Sequence, residues 1–489
     1  MITFLLSLVA LVVGYVVYGK FVEHVFAPDN RTTPAVAKAD GVDFIVLPSW
    51  KVFMIQFLNI AGTGPIFGAI MGAKFGPAAY LWIVLGCIFA GATHDYLSGM
   101  LSMRHDGAGL PEIIGHYLGK STKQVMLVFS VFLLMLVGAV FVYSPALILG
   151  KMMDDGLTWV YLWCGIIFVY YIIATMLPID KIIGKIYPVF AISMLFMALA
   201  LMVVLFVKWP TLPELYDGIY GENYTSPIFP ALFITIACGA ISGFHATQTP
   251  LMARCVKDER MGRPLFYGAM ITEGLVALIW ATVSMYFFYG GAASELGQPL
   301  TLQAPEVVTA VSNGWLGTIG GILALLGVVA APITSGDTAL RSARLIIAEF
   351  IHLEQRTIMK RIWICIPLFA ATLALLFFNI SNPDGFNVIW SYFGWANQTL
   401  AVFTLWAITV YLVRNNKPYW ITLLPALFMT VVCSSFIMVS KNAFAFDITI
   451  GYIVGAIALA VAVIWFIVWK RKDKKKENKY TAIQKTILR

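Results

Sequence analysis

The sequence predicts an all-α polytopic membrane protein of about thirteen transmembrane helices, and three observations carry that expectation. Of the 489 residues, 60% are hydrophobic and only 12% charged, about half the charged share of an ordinary soluble domain. Apolar runs recur at roughly 20 residues, the length a helix needs to cross ~30 Å of hydrocarbon. Basic residues fall into every second loop, as expected when Lys and Arg are retained on the cytoplasmic side.

In order, spans are expected at 2–22, 51–72, 77–101, 123–150, 157–177, 187–207, 228–253, 265–289, 314–347, 361–379, 387–413, 418–440 and 448–469. The first lacks the basic start and small-residue cleavage site of a signal peptide, and Tyr15, Tyr18 and Lys20 suit interfacial anchoring, so it is retained as a span. Four units follow: 1–50 with the extra first span and a cytoplasmic loop, a core 51–413 (51–207 and 228–413), two further spans in 414–469, and a basic tail 470–489.

With loops assigned alternately to the two sides, all of the 33 Lys and Arg residues lie on one side except Lys74, Lys151, Lys208 and Lys441. This places the amino terminus outside and the tail inside a cytoplasmic (inner) cell membrane. The net charge of +8 then reflects topology and not nucleic-acid binding. The tail suits contact with membrane lipid. Cys87, Cys164, Cys238, Cys255, Cys365 and Cys433 show no paired spacing and are expected to be packing residues.

Two spans carry glycine-containing interruptions where a lipid-facing helix would avoid freeing backbone groups. Span 2 reads Asn59, Ile60, Ala61, Gly62, Thr63, Gly64, Pro65; span 7 reads Thr235, Ile236, Ala237, Cys238, Gly239, Ala240, Ile241, Ser242, Gly243. Each break begins about 16 Å into its span at 1.5 Å per residue, near the membrane midplane. The two spans are an odd number apart and run antiparallel, which predicts a five-plus-five inverted repeat of spans 2–6 and 7–11. Matching broken helices are the sequence mark of a secondary transporter's substrate site. Ala61, Gly62, Thr63, Gly64, Pro65, Gly239, Ser242, Gly243 and His245 are therefore the expected substrate-binding residues. Pro65 suits the first turn of a half-helix and Thr63 its cap, and the amides there would attract a carboxylate.

The stretches Asn59 to Gly72, Ala237 to His245, Tyr267 to Met270 and Ala396-Asn397-Gln398 resemble the carbon starvation protein A family across most of spans 2–11. That family is similar to the amino acid, polyamine and organocation superfamily, so the resemblance implies a leucine-transporter-like fold and uptake of pyruvate or peptides. The chain is shorter than the long members of the family. It also reads Ala246-Thr247-Gln248-Thr249-Pro250 in a segment that varies among them.

Ionisable residues in a span cost at least ~2.5 to 3.5 kcal/mol at mid-membrane and call for a reason. Asp337 stands among Thr334, Ser335 and Thr338, a set suited to a coupling proton or sodium ion, with Arg341 four residues on as the structural alternative. In the resembled fold span 9 packs on broken span 2, so these oxygens are expected around one cation there. Glu273 is a second coupling candidate. His94 and Asp95, near the cytoplasmic end of span 3, suit a gate or a salt bridge to a loop arginine. Asn397 and Gln398 suit a bundle-interior, structural position.

The rival readings are weaker. Ser242-Gly243 with His245 resembles a serine elbow, but Ala240 stands where glycine is wanted; no HExxH is present. A channel would need a continuous polar lining. The expected function is thus secondary active uptake, driven by protons or sodium, of a small carboxylate such as pyruvate, with peptide or amino-acid uptake as the alternative. Neither enzymatic activity nor a cofactor is expected, and the partners are the small solute and lipid.

Overall fold

The computed structural model describes residues 1–153, 157–176, 179–220, 227–289, 302–355, 357–382 and 384–487, and the regular structure among these is all helical, with no β-strand. The opening span comprises α1 (Ile2–Val16) and α2 (Tyr18–Phe26), with the short α3 (Pro34–Ala37) in the loop beyond. The α1 amino end is capped from far along the chain: Glu214 accepts from the amides of Ile2 at 2.9 Å and Thr3 at 2.7 Å. Span 2 is divided into α4 (Ser49–Ala61) and α5 (Gly64–Gly72), bent by 41°. Span 3 comprises α6 (Ala78–Leu85), a π-helical stretch Gly86–Gly91 and α7 (Ala92–Arg104).

After α8 (Leu110–Leu118) come α9 (Lys120–Met153), α10 (Leu157–Met176) and α11 (Ile179–Lys208). Span 7 is again divided, into α12 (Ala231–Thr235) and α13 (Gly243–Ala253). The rest are α14 (Gly268–Ser284), α15 (Ala304–Phe350), α16 (Ile358–Ser381), α17 (Gly385–Arg414), α18 (Trp420–Val439) and α19 (Ile448–Ile487).

Ten described helices are long and apolar enough to cross a membrane, or eleven with the bent pair α4 and α5. The expected seventh span is outside that number because its pieces hold only 5 and 11 residues. The expected ninth falls within α15, a 47-residue helix that bends where Gly317 leaves helical geometry (φ 62°, ψ −168°). The last helix continues past the expected membrane exit through the basic segment.

The segments Ala78–Arg104, Glu259–Phe288 and Gly385–Arg414 are the most enclosed, whereas α19 is mostly exposed. The broken span 7 lies among the enclosed helices: α13 packs on α7, α17 and α4, and α5 packs on α14 and α12. All six cysteines are buried and free, as the packing reading expects.

Candidate functional site

The two breaks are pressed against each other. Gly64, Gly68 and Gly72 recur every four residues and form one stripe along α5. A Cβ on Gly64 would lie 2.3 Å from the Cys238 sulfur, on Gly68 2.9 Å from the Thr235 carbonyl oxygen, and on Gly72 2.3 Å from Ile236. The stripe lets α5 lie directly on the interrupted backbone of span 7, the close approach that small residues permit in membranes. Gly62 makes the turn itself, at φ 41° and ψ −136°, with the Phe141 ring 2.9 Å from where its Cβ would be. A side chain there would be strained and crowded at once. Gly239 abuts Ala277, and Gly243 abuts the α17 backbone, its Cβ position 2.3 Å from the Ala401 nitrogen. Gly64, Gly239 and Gly243 thus let neighbouring helices approach closely.

Backbone groups freed by the breaks find partners on other helices. Ser335 on α15 donates to the Leu58 carbonyl at the end of α4, at 2.8 Å. Gln398 donates to the Phe233 carbonyl at 2.9 Å, and Trp82 donates to that of Ile236 at 2.8 Å. Asn397 Oδ1 accepts from the Phe244 amide at 2.6 Å and from the Ser242 hydroxyl at 2.9 Å. The amide of Phe244, the second residue of α13, is therefore capped by Asn397. The structural expectation for Asn397 and Gln398 acquires specific content, since they serve the two sides of one gap. Thr63 occupies the N-cap position of α5 but makes no capping bond. Its hydroxyl is buried without a protein partner, as are both polar atoms of the Gln56 and Asn59 side chains. Gln56 and Asn59 are three apart on α4 and share a face; Ala61 and Pro65 flank the turn and are buried.

Four ionisable residues from three helices meet beside the second break. Asp95 Oδ1 is 2.8 Å from His94 Nδ1, and Asp95 Oδ2 is 2.8 Å from His245 Nδ1. The other ring nitrogen of His245 lies 3.4 Å from Glu273 Oε2. All four side chains are fully buried. Asp95 therefore turns inward to two histidines and not to a loop arginine, because α7 presents this face to α13. Donor atoms of Cys238, His245 and Glu273 lie within 4.8 Å of one another. The Cys238 thiol, however, donates to Ser242 and accepts from Asn397, each at 3.6 Å. The set is also one protein donor short of a closed structural zinc site.

The oxygens expected around one cation in span 9 do not converge. Ser335 reaches the first break, but Thr334 bonds the Ala330 and Ala331 carbonyls and Thr338 those of Thr334 and Ser335, all within α15. Asp337 points away to α10 and α11, where Tyr170 donates to Oδ2 at 2.7 Å and Tyr187 contacts Oδ1 at 2.5 Å. Arg341 reaches the Ala174 carbonyl at 2.6 Å and lies 3.6 Å from Asp43. Ser335 and Asp337 face apart because two positions along an α-helix turn about 200°, while Thr334 and Thr338 turn their hydroxyls back onto their own helix. Tyr170, Tyr187 and Trp82 escaped the sequence reading. Their only signal was a polar tip on an aromatic within an apolar span, which calls for a partner when buried.

Comparison with known proteins follows this geometry. A model of the family described as carbon starvation protein CstA matches residues 1–151, 152–323 and 303–438. An uncharacterized membrane protein of Haemophilus influenzae is 44% identical over 59% of this chain and 91% of its own length. The proteins named peptide transporter CstA from Bacillus subtilis and Escherichia coli are 27% and 24% identical. The first is matched over 92% of both chains, the second over 90% of this chain and 81% of its own. Among solved structures, the manganese transporter of Eremococcus coleocola aligns with a TM-score of 0.60 at 12% identity, covering 89% of this chain and 99% of that one, a likeness of fold. Spanning helices, paired breaks and a family match along most of the length agree: this multi-pass membrane protein belongs to the carbon starvation protein CstA family.

Proposed function

We propose that the chain is a secondary transporter for short peptides, with the substrate held where the two broken spans meet. The observation that carries this reading is the set of neutral polar groups beside the first break. Gln56 and Asn59 each offer a donor and an acceptor with no partner in the protein, and the Thr63 hydroxyl adds a third group. A peptide bond presents one donor and one acceptor, so side-chain amides complement it on both counts. A bare carboxylate would leave half of these groups unpaired, at about 1–3 kcal/mol each. The names of the relatives agree with peptides.

On this reading spans 2–6 and 7–11 work as an inverted pair, and the angle between α5 and α13 exposes the site to either side in turn. Uptake into proteoliposomes, measured for tri-alanine, pyruvate, lactate and alanine under imposed proton and sodium gradients, tests it. Saturable, gradient-dependent uptake of tri-alanine is expected. Uptake of pyruvate with none of tri-alanine would return the function to a monocarboxylate carrier.

A further inference from the structure

We propose that His245, held between Asp95 and Glu273, carries the coupling proton of this transporter, shared through its Nε2 with the Glu273 carboxyl. The proposal rests on the transport reading above and moves the coupling site from α15 to the second broken span.

Hydrogen-bond accounting leads to it. Each Asp95 oxygen is 2.8 Å from a histidine Nδ1. An ionised Asp95 accepts from both rings, which leaves the His245 Nε2 of a neutral ring with a lone pair. That lone pair faces Glu273 Oε2 at 3.4 Å. If Glu273 were ionised as well, two acceptors would confront each other in a fully buried place, and two carboxylates would remain in a dry interior with no cation. Such an arrangement is costly enough for a buried group to neutralise instead. One more proton resolves it, either on Nε2, giving an imidazolium between two carboxylates, or on Glu273, giving a neutral acid that donates to the ring. Protonating both yields a neutral trio of Asp95 anion, imidazolium and carboxylic acid. The site is therefore built to gain and lose a proton, and its position on three helices gives that proton a mechanical meaning.

Asp95 sits on α7, Glu273 on α14, and His245 near the start of α13, the half-helix that begins at the break. Any swing of α13 changes the distance from its imidazole to the two carboxylates unequally. Proton occupancy is thereby tied to the angle of the half-helix next to the substrate. Other elements packed on α13 leave this balance intact. Near the break, Cys238 is a thiol bonded to Ser242, and Cys87 donates to the Met270 carbonyl. From α15, Ser342 donates to the Thr247 carbonyl, while Asp337 faces tyrosines and Arg341 and Arg344 face Asp43. The α17 side chain at the α13 terminus is the neutral Asn397. Phe141 of α9 meets Phe244 edge-on, and Glu112 of α8 pairs with Lys123.

Glu273→Gln, Glu273→Asp and His245→Asn test the proposal, each first shown to be monodisperse after purification. Potentiometric titration of the purified proteins between pH 5 and 9 requires no substrate. Glu273→Gln and His245→Asn should each exchange about one proton fewer than the parent, whereas Glu273→Asp should keep the parent count. In proteoliposomes, Glu273→Gln should lose about tenfold or more of its proton-driven accumulation of tri-alanine while equilibrium exchange falls much less. Titration curves identical to the parent overturn the proposal whether or not tri-alanine is carried. So does a bound divalent metal ion, found by elemental analysis in the parent and lost in Glu273→Gln. If tri-alanine is not carried but the titration difference is present, the proton site stands and the peptide reading falls.

Discussion

Asp337 shows how far the meaning of a buried carboxylate depends on direction. It lies in a run of hydroxyl residues, yet its two oxygens meet the phenols of Tyr170 and Tyr187, while Ser335, two positions earlier, is the residue that touches the first break. Two positions on a helix are about 200° apart, so one of the pair had to face elsewhere. The resemblance implied that polar groups of span 9 face the break, but rotation about the helix axis decided which residue does. Asp337→Asn keeps an acceptor for the tyrosines and leaves His245 and Glu273 untouched. It is expected to accumulate substrate under a proton gradient within about threefold of the parent. Loss of accumulation with exchange retained would put the driving ion in α15 after all.

At the scale of elements, the contact between α5 and the span 7 break depends on three glycines and one cysteine. Gly64→Ala would force a methyl to within 2.4 Å of the Cys238 Cβ, an overpacking that typically costs about 1–3 kcal/mol. Removing the opposing side chain should relieve it. The double variant Gly64→Ala with Cys238→Gly is expected to recover most of the lost thermal stability and uptake, a coupling of about 0.5–3 kcal/mol in a double-mutant cycle. Additive losses would mean that the two surfaces are not in contact. The breaks were legible because helix interruption is a local property, written in Gly62 and Gly239. The residues that repair them were not, since Asn397 lies 153 positions from Phe244 and Ser335 lies 277 from Leu58. The acid and histidine cluster was legible as four unusual residues on three spans. Its assembly depended on the register of α7, α13 and α14, which no single-span pattern contains.

For the whole molecule, the lopsided distribution of basic residues predicts which side each loop occupies. Ion pairs join several of the basic loops to one another: Arg104 with Glu259, Arg254 with Glu349, and Arg263 with Glu23 each pair at 2.8 Å. A reporter active only in the cytoplasm, fused after Arg489, should be active, and the same reporter inserted beside Lys441 should be silent. The reverse result would invert the topology. Among the helices that hold span 7, α17 bonds to both of its pieces. Asn397 and Gln398 are consecutive in α17, so the points at which they grip α13 and α12 are a fixed distance apart, set by a helix that is itself continuous. The two pieces of span 7 cannot drift apart like the ends of a stretched spring without breaking one grip. In the transport cycle proposed above they would turn about it instead, with the interruption as the pivot and α17 as the bracket that holds its pin.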